Sequence, residues 1–168
     1  MAIHKIDGVD AVDGGSQISH FPKKYVTLVA DGTITKDDWV AIGTGTDNGL
    51  GANVVAADSG TTGHDSLIFG VATESAVDGG SVKIQTAGKY SNGANVEGAT
   101  VYGDALIVSS SAGRATQADT VDTTATATSL RNVICGVALE ADGVGTDDAG
   151  VTMTTNKATV MIIDQGHF

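Results

Sequence analysis

The carboxylates are the side chains in this sequence with the most chemical potential. Asp58-Ser59-Gly60-Thr61 has the Asp-Ser/Thr-Gly-Ser/Thr form that surrounds the carboxyl groups of aspartic proteases. That chemistry needs two carboxyl groups sharing one proton, and the chain's internal repeat, set out below, puts Thr124 at the matching position. Asp7, Asp10 and Asp13 with Asp147 and Asp148 supply hard oxygen ligands of the kind that hold calcium. Their spacing fits no EF-hand loop, and no metal is expected. His4, His20, His64 and His167 are scattered without the close spacing of a zinc site. A Gly-x-Ser-x-Gly elbow, a phosphate loop and a dinucleotide-binding glycine pattern are all missing. Glu74 and Glu140 end two near-identical apolar runs. Their recurrence points to carboxylates that accept backbone N–H groups at a turn. The residues predict no enzyme and no cofactor.

The elements that would position these groups come from a duplication. Leu67-Ile68-Phe69-Gly70-Val71-Ala72-Thr73-Glu74 recurs as Val133-Ile134-Cys135-Gly136-Val137-Ala138-Leu139-Glu140, 66 residues later (133 − 67). Asp38-Trp39-Val40-Ala41-Ile42 recurs as Asp104-Ala105-Leu106-Ile107-Val108 at the same spacing (104 − 38). Each unit closes with another apolar segment, Val82-Lys83-Ile84-Gln85 and Val160-Met161-Ile162-Ile163, which align at 78 (160 − 82). The extra 12 residues (78 − 66) are expected as a surface loop within Ala141–Lys157. Two similar β units packed together, or interleaved in one barrel, suit two copies better than a solenoid does.

Composition agrees. In 168 residues there are 23 glycines, one proline and 4% aromatics, so the core must be built from Val, Ile, Leu and Ala. Short β-branched runs between Gly, Asp, Asn and Ser predict an all-β fold, a compact barrel or sandwich made of two tandem β units. Strands are expected at 25–30, 39–42, 53–56, 67–73, 81–86, 105–108, 133–139, 151–154 and 158–163. Val82 and Ile84 should face the core and Lys83 and Gln85 solvent. Ala87-Gly88 and Ser91-Asn92-Gly93 read as turns, and 117–129 as a long loop. Gly70 is expected where backbone or a side chain approaches closely. The expected organisation is an extended arm over 1–24 and a β domain over 25–168, its repeats spanning about 25–90 and 93–168.

The net charge of −11 opposes phosphate backbones and anionic bilayers, so neither nucleic acid nor membrane is an expected partner. Cys135 is the one cysteine, and its apolar run predicts a buried structural thiol. The start, Met1 to Asp7, lacks an apolar core of signal-peptide length, and no run reaches a membrane span. In the arm, His20-Phe21-Pro22-Lys23-Lys24 sets an aromatic beside two lysines in an otherwise acidic chain, which reads first as a solvated leader and, as the sharper alternative, as an arm that docks on an acidic partner and orders only then.

One ordered set of motifs resembles a known family. Asp37–Ile42, Phe69-Gly70-Val71-Ala72, Gly80–Gly88, Tyr102–Leu106, Cys135–Ala141 and Ala158–Ile162 follow one another as in the small Gly/Ala/Thr-rich capsid decoration proteins of tailed phages. The resemblance covers roughly residues 25 to 163. It implies a β domain that adds to the outside of an assembled head, often as a trimer, and stiffens it. The partner would be the major capsid protein, the location the virion exterior after assembly in the host cytoplasm, and the contact residues His20, Phe21, Pro22, Lys23 and Lys24. The long leader and the loops at 43–65 and 117–130 depart from the simplest members. A surface-displayed carbohydrate-binding module is the rival class, and another virion component such as a tail or fibre subunit a third.

Overall fold

The computed structural model describes residues 22–43, 53–60, 68–118 and 134–163. Nine strands occur among them: β1 (Lys24–Ala30), β2 (Trp39–Ile42), β3 (Asn53–Ala56), β4 (Ile68–Ala72), β5 (Ser81–Asn95), β6 (Ala105–Val108), β7 (Ala115–Gln117), β8 (Gly136–Ala138) and β9 (Lys157–Ile162). No α-helix is present among the described residues. The order β1-β3-β2-β4-β5 closes through a β1–β5 pairing, which makes a five-stranded barrel. The fold is the all-β barrel that the composition predicts.

The remaining strands form a second ring, β5-β9-β8-β6-β7, closed by a parallel bridge between Val96 and Ala115. Its pairings repeat those of the first barrel. Trp39↔Val71 and Val40↔Gly70 between β2 and β4 become Ala105↔Val137 and Leu106↔Gly136 between β6 and β8, each residue advanced by 66 (105 − 39, 137 − 71). The parallel β1–β3 pairing corresponds to the Val96–Ala115 bridge, and β2–β3 to β6–β7. The closing strand corrects the sequence alignment. Ala72 pairs with Ile84 and Ala138 with Val160, so the offset there is 76 (160 − 84) and the second unit carries 10 extra residues (76 − 66). A slip of two keeps the same side chains facing inward, so apolar alternation alone does not separate 76 from 78.

β5 is the strand the two rings share, pairing with β1 over its first half and with β9 over its second. The turns expected at 87–88 and 91–93 are therefore absent. Gly88 and Gly93 take φ of 87° and 84°; Gly88 pairs with Ile162 where β5 passes from β1 to β9, and glycine's freedom at 93 serves a bulge between Tyr90 and Ala94, where the register to β9 shifts. Gln85 was expected outside and is 1% exposed. Its side-chain amide donates to the carbonyls of Ala87, Gly88 and Lys89 at 3.0–3.2 Å, which satisfies the backbone where β5 passes between barrels. Ala115–Gln117 is a strand missing from the expected set, and its last residue falls in the loop expected over 117–129. Val151–Thr154 is not a strand: Thr152 makes an isolated bridge to Thr146 across a turn closed by the Asp147 carboxylate. Beyond residue 118 the loop expected over 117–129 lies outside the described residues.

Two apolar clusters follow from this arrangement. Ala30, Ile34, Val40, Val54, Ala72, Val82 and Ile84 fill the first barrel. The second cluster joins the inside of barrel two, including Leu106, Ala115 and Val160, to the outer face of barrel one through Trp39, Ala41, Val55, Ile68 and Val71. β2 is thus covered on both sides, and a strand covered on both sides reads as continuously apolar. Gly70 and Gly136 mark the close approaches expected of them. A Cβ on Gly70 would overlap the Gln85 carbonyl, and one on Gly136 would lie 2.8 Å from the Met161 carbonyl oxygen and 2.9 Å from the Trp39 ring.

Candidate functional site

Several carboxylates are engaged in holding loops. Asp58 Oδ1 accepts the Gly60 N–H at 2.7 Å, an Asx turn that ties the aspartate to its own loop; Thr61 lies outside the described residues. Glu74 accepts the Lys83 N–H at 2.9 Å, and Glu140 accepts the Thr159 hydroxyl at 2.6 Å. Lys83 and Thr159 hold equivalent places (159 − 83 = 76), so both glutamates brace the closing strand of their barrel. Asp147 accepts the N–H groups of Ala149 and Val151 at 2.9 and 2.8 Å, and Asp148 pairs with Lys23 at 3.7 Å. Among the described residues no group of three or more metal-ligating side chains converges. Asp7, Asp10, Asp13 and all four histidines lie outside them.

A buried polar cluster lies where the barrels meet. Asp37 accepts the Tyr90 hydroxyl at 2.5 Å on one carboxylate oxygen and the Lys157 ammonium at 2.8 Å on the other. Beside it, Asp38 accepts the Thr35 N–H at 2.8 Å and the Asn95 side-chain amide at 2.7 Å. Burial raises the Asp38 carboxyl above its ordinary value. Burial and the Asp37 carboxylate together hold the Tyr90 hydroxyl far above the usual phenol range. Asp37 adopts φ of 76°, a left-handed backbone that aspartate tolerates better than most residues. The cluster pairs Asp37 with Lys157 and Tyr90 and Asp38 with Thr35 and Asn95, and it joins the turn before β2 to the start of β9. Its chemistry is that of a latch.

A second arrangement faces outward. Pro22 and Lys24, at the entry to β1, line an apolar groove of about 370 Å³ together with Ala87 and Gly88 of β5 and Met161, Ile162 and Ile163 at the end of β9. The groove lies where the three strands converge on the Ala87–Gly88 crossing point. Of the five arm residues singled out by the sequence, Pro22 and Lys24 line it, and Lys23 is held by Asp148. His20 and Phe21 lie outside the described residues. The β9 wall of the groove escaped the sequence reading, because Met161–Ile163 is indistinguishable there from a core strand. The aromatic side chains form no platform among the described residues: Trp39 and Tyr90 are buried, Tyr25 lies under the Lys83 ammonium at 4.8 Å, and Tyr102 stands 76% exposed at a turn.

No family model matches the sequence, and no curated protein does. Among solved structures, the fold is similar to that of the N-terminal base of the head fiber protein gp8.5 of bacteriophage phi29. The two superpose with a TM-score of 0.51 over 85% of this chain and 96% of that one, at 15% sequence identity.

Proposed function

We propose that this chain is a structural protein of a tailed-phage virion, carried on the outside of the head as a homotrimer at capsomer junctions, where it contacts the major capsid protein and stabilises the shell. The observation that carries the reading is the shared fold with a phage head appendage base across nearly the whole of both chains. Three features support it. Several of the carboxylates that could have suggested catalysis hold loops or the barrel junction. The acidic surface keeps a protein soluble before docking. The groove at the base of the arm offers apolar lining beside Lys24, and weak contacts of this kind become tight when several subunits engage one lattice.

His20, Phe21, Pro22, Lys23 and Lys24 are the proposed capsid contacts, through which the arm adds backbone pairing to a shell strand or arm. Co-sedimentation with undecorated heads tests this. The full chain should pellet with heads to saturation, and a chain lacking residues 1–24 should remain in the supernatant. Equal pelleting of both chains removes the arm from the contact.

Because the neighbouring structure is the base of a fiber, a second reading is that this chain is itself the foot of a head fibre. Images of decorated heads separate the two: a low boss on the shell fits decoration, and a projecting rod fits a fibre.

A further inference from the structure

The charged pair at the barrel junction is arranged for more than attraction. Lys157 Nζ lies 2.8 Å from Asp37 Oδ2, while the Tyr90 hydroxyl donates to Oδ1 at 2.5 Å, so an amine meets one carboxyl oxygen and a phenol holds the other. Both partners are mostly buried. Lys23 and Asp148 make a contrasting pair, wider at 3.7 Å and far more open to water. Asp37 also stands where the duplication writes glycine. Its equivalent is Gly103 (103 − 37 = 66); the two take φ of 76° and 91°, and their N–H groups donate to the matching carbonyls of Ala72 and Ala138. Glycine meets such a backbone without strain. A side-chain-bearing residue held there marks a place to ask what its side chain does.

We infer that Asp37 and Lys157 condense into an amide, an isopeptide bond that the folded chain forms by itself with Asp38 and Tyr90 assisting, and that welds the two barrels across 120 residues. A proton passes from Nζ to Oδ2 along their hydrogen bond, leaving a neutral amine beside a carboxylic acid. The Nζ lone pair then attacks Cγ, and the Tyr90 O–H steadies the negative charge that gathers on Oδ1. Asp38 takes a second proton from the nitrogen and hands it to Oδ2, which departs as water while Oδ1 becomes the amide carbonyl. One ammonium and one carboxylate thus give one amide and one water, with no co-reactant. Asp38 suits the relay. Burial raises its carboxyl above the ordinary value, against the lowering effects of the Thr35 and Asn95 hydrogen bonds and the Lys157 charge, so it accepts a proton more readily than a solvated aspartate does. Separate amines and carboxylates do not condense in water, but here the fold holds both reactants in one place and replaces their encounter. Until the bond forms, the pair holds the barrels as a salt bridge. The bond is independent of head binding.

The test weighs the purified full chain by intact mass spectrometry after incubation for days at neutral pH. The chain should be lighter than its sequence mass by one water. A tryptic digest should contain a branched species joining residues 37–83 to residues 132–168, uncut at Lys157, because trypsin needs a free lysine. Lys157→Arg keeps the positive charge without the amine and should stay at its full sequence mass. Asp38→Asn should lose water at least tenfold more slowly than the parent. A parent at full sequence mass, a water lost from Lys157→Arg as well, or a water lost within one unbranched peptide would each overturn the bond, and undiminished formation in Asp38→Asn would overturn the relay.

Discussion

Lys157 at the start of β9 reaches Asp37 before β2, with 2.8 Å between ammonium and carboxylate, and so ties the last strand of the second barrel to the first barrel across 120 residues of chain. The two side chains are only 24% and 12% exposed, and Tyr90 completes the carboxylate's hydrogen bonds from the shared strand. Removing one member of a buried pair strands the other charge, whereas replacing both removes the desolvation cost together with the attraction. Lys157→Met should therefore cost about 1–3 kcal/mol, the lower end reflecting partial exposure. Asp37→Asn with Lys157→Met should recover most of the loss, because asparagine also tolerates the left-handed backbone at this position. Urea unfolding of the three chains measures both. A single variant as stable as the parent would show that the latch contributes nothing.

Gly70 and Gly136 are equivalent glycines with different surroundings. The Cβ of Gly70→Ala would overlap the Gln85 carbonyl, which belongs to backbone and cannot swing away, while that of Gly136→Ala would press on the Met161 carbonyl and the Trp39 ring. Both substitutions should destabilise by about 1–3 kcal/mol, the range of overpacking, with Gly70→Ala the worse. Pairing Gly136→Ala with Trp39→Phe should relieve only the contact to the ring. Thermal melts of these chains, with equal stability for Gly70→Ala and the parent, would deny the close approach.

Thr100 occupies the place in barrel two that Ile34 occupies in barrel one (100 − 34 = 66), and its hydroxyl is buried without a hydrogen-bond partner among the described residues. An unsatisfied buried hydroxyl costs about 1–3 kcal/mol. Thr100→Val, which keeps the shape and removes the polar atom, should raise stability by about 1 kcal/mol. A loss of stability on this substitution would mean the hydroxyl has a partner.

Cys135 is buried, and burial pushes its thiol up to about 12. The thiolate is the reactive form, so near pH 8 the folded protein should react with maleimide at least 100-fold more slowly than a model thiol of pKa ~8.5, and should match it once unfolded. Stoichiometric labelling of the folded chain within minutes would place the thiol at the surface.

Much of the barrel was legible because the duplication wrote it twice. The 66-residue spacing carried Trp39–Ile42 and Gly70 onto Ala105–Val108 and Gly136, and the strand pairings keep that offset. What stayed hidden needed tertiary information. Gln85 reads as solvent-facing by alternation, yet the second barrel covers it and backbone carbonyls satisfy it. Gly88 and Gly93 signal turns in any isolated segment, and only the pairing of β5 on both barrels turns them into a crossing point and a bulge. The β9 side of the groove carries no local mark that distinguishes a groove wall from core. Lys157 gave no sign of its partner, since no sequence period links it to Asp37.

The most direct test of the account is a reconstruction of undecorated heads mixed with the purified chain. The account predicts added density on the outer surface at capsomer junctions, each into which the double barrel fits with the β1–β5–β9 groove and residue 22 turned toward the shell. Heads that remain bare at saturating protein, or density confined to the interior or the tail, would contradict it.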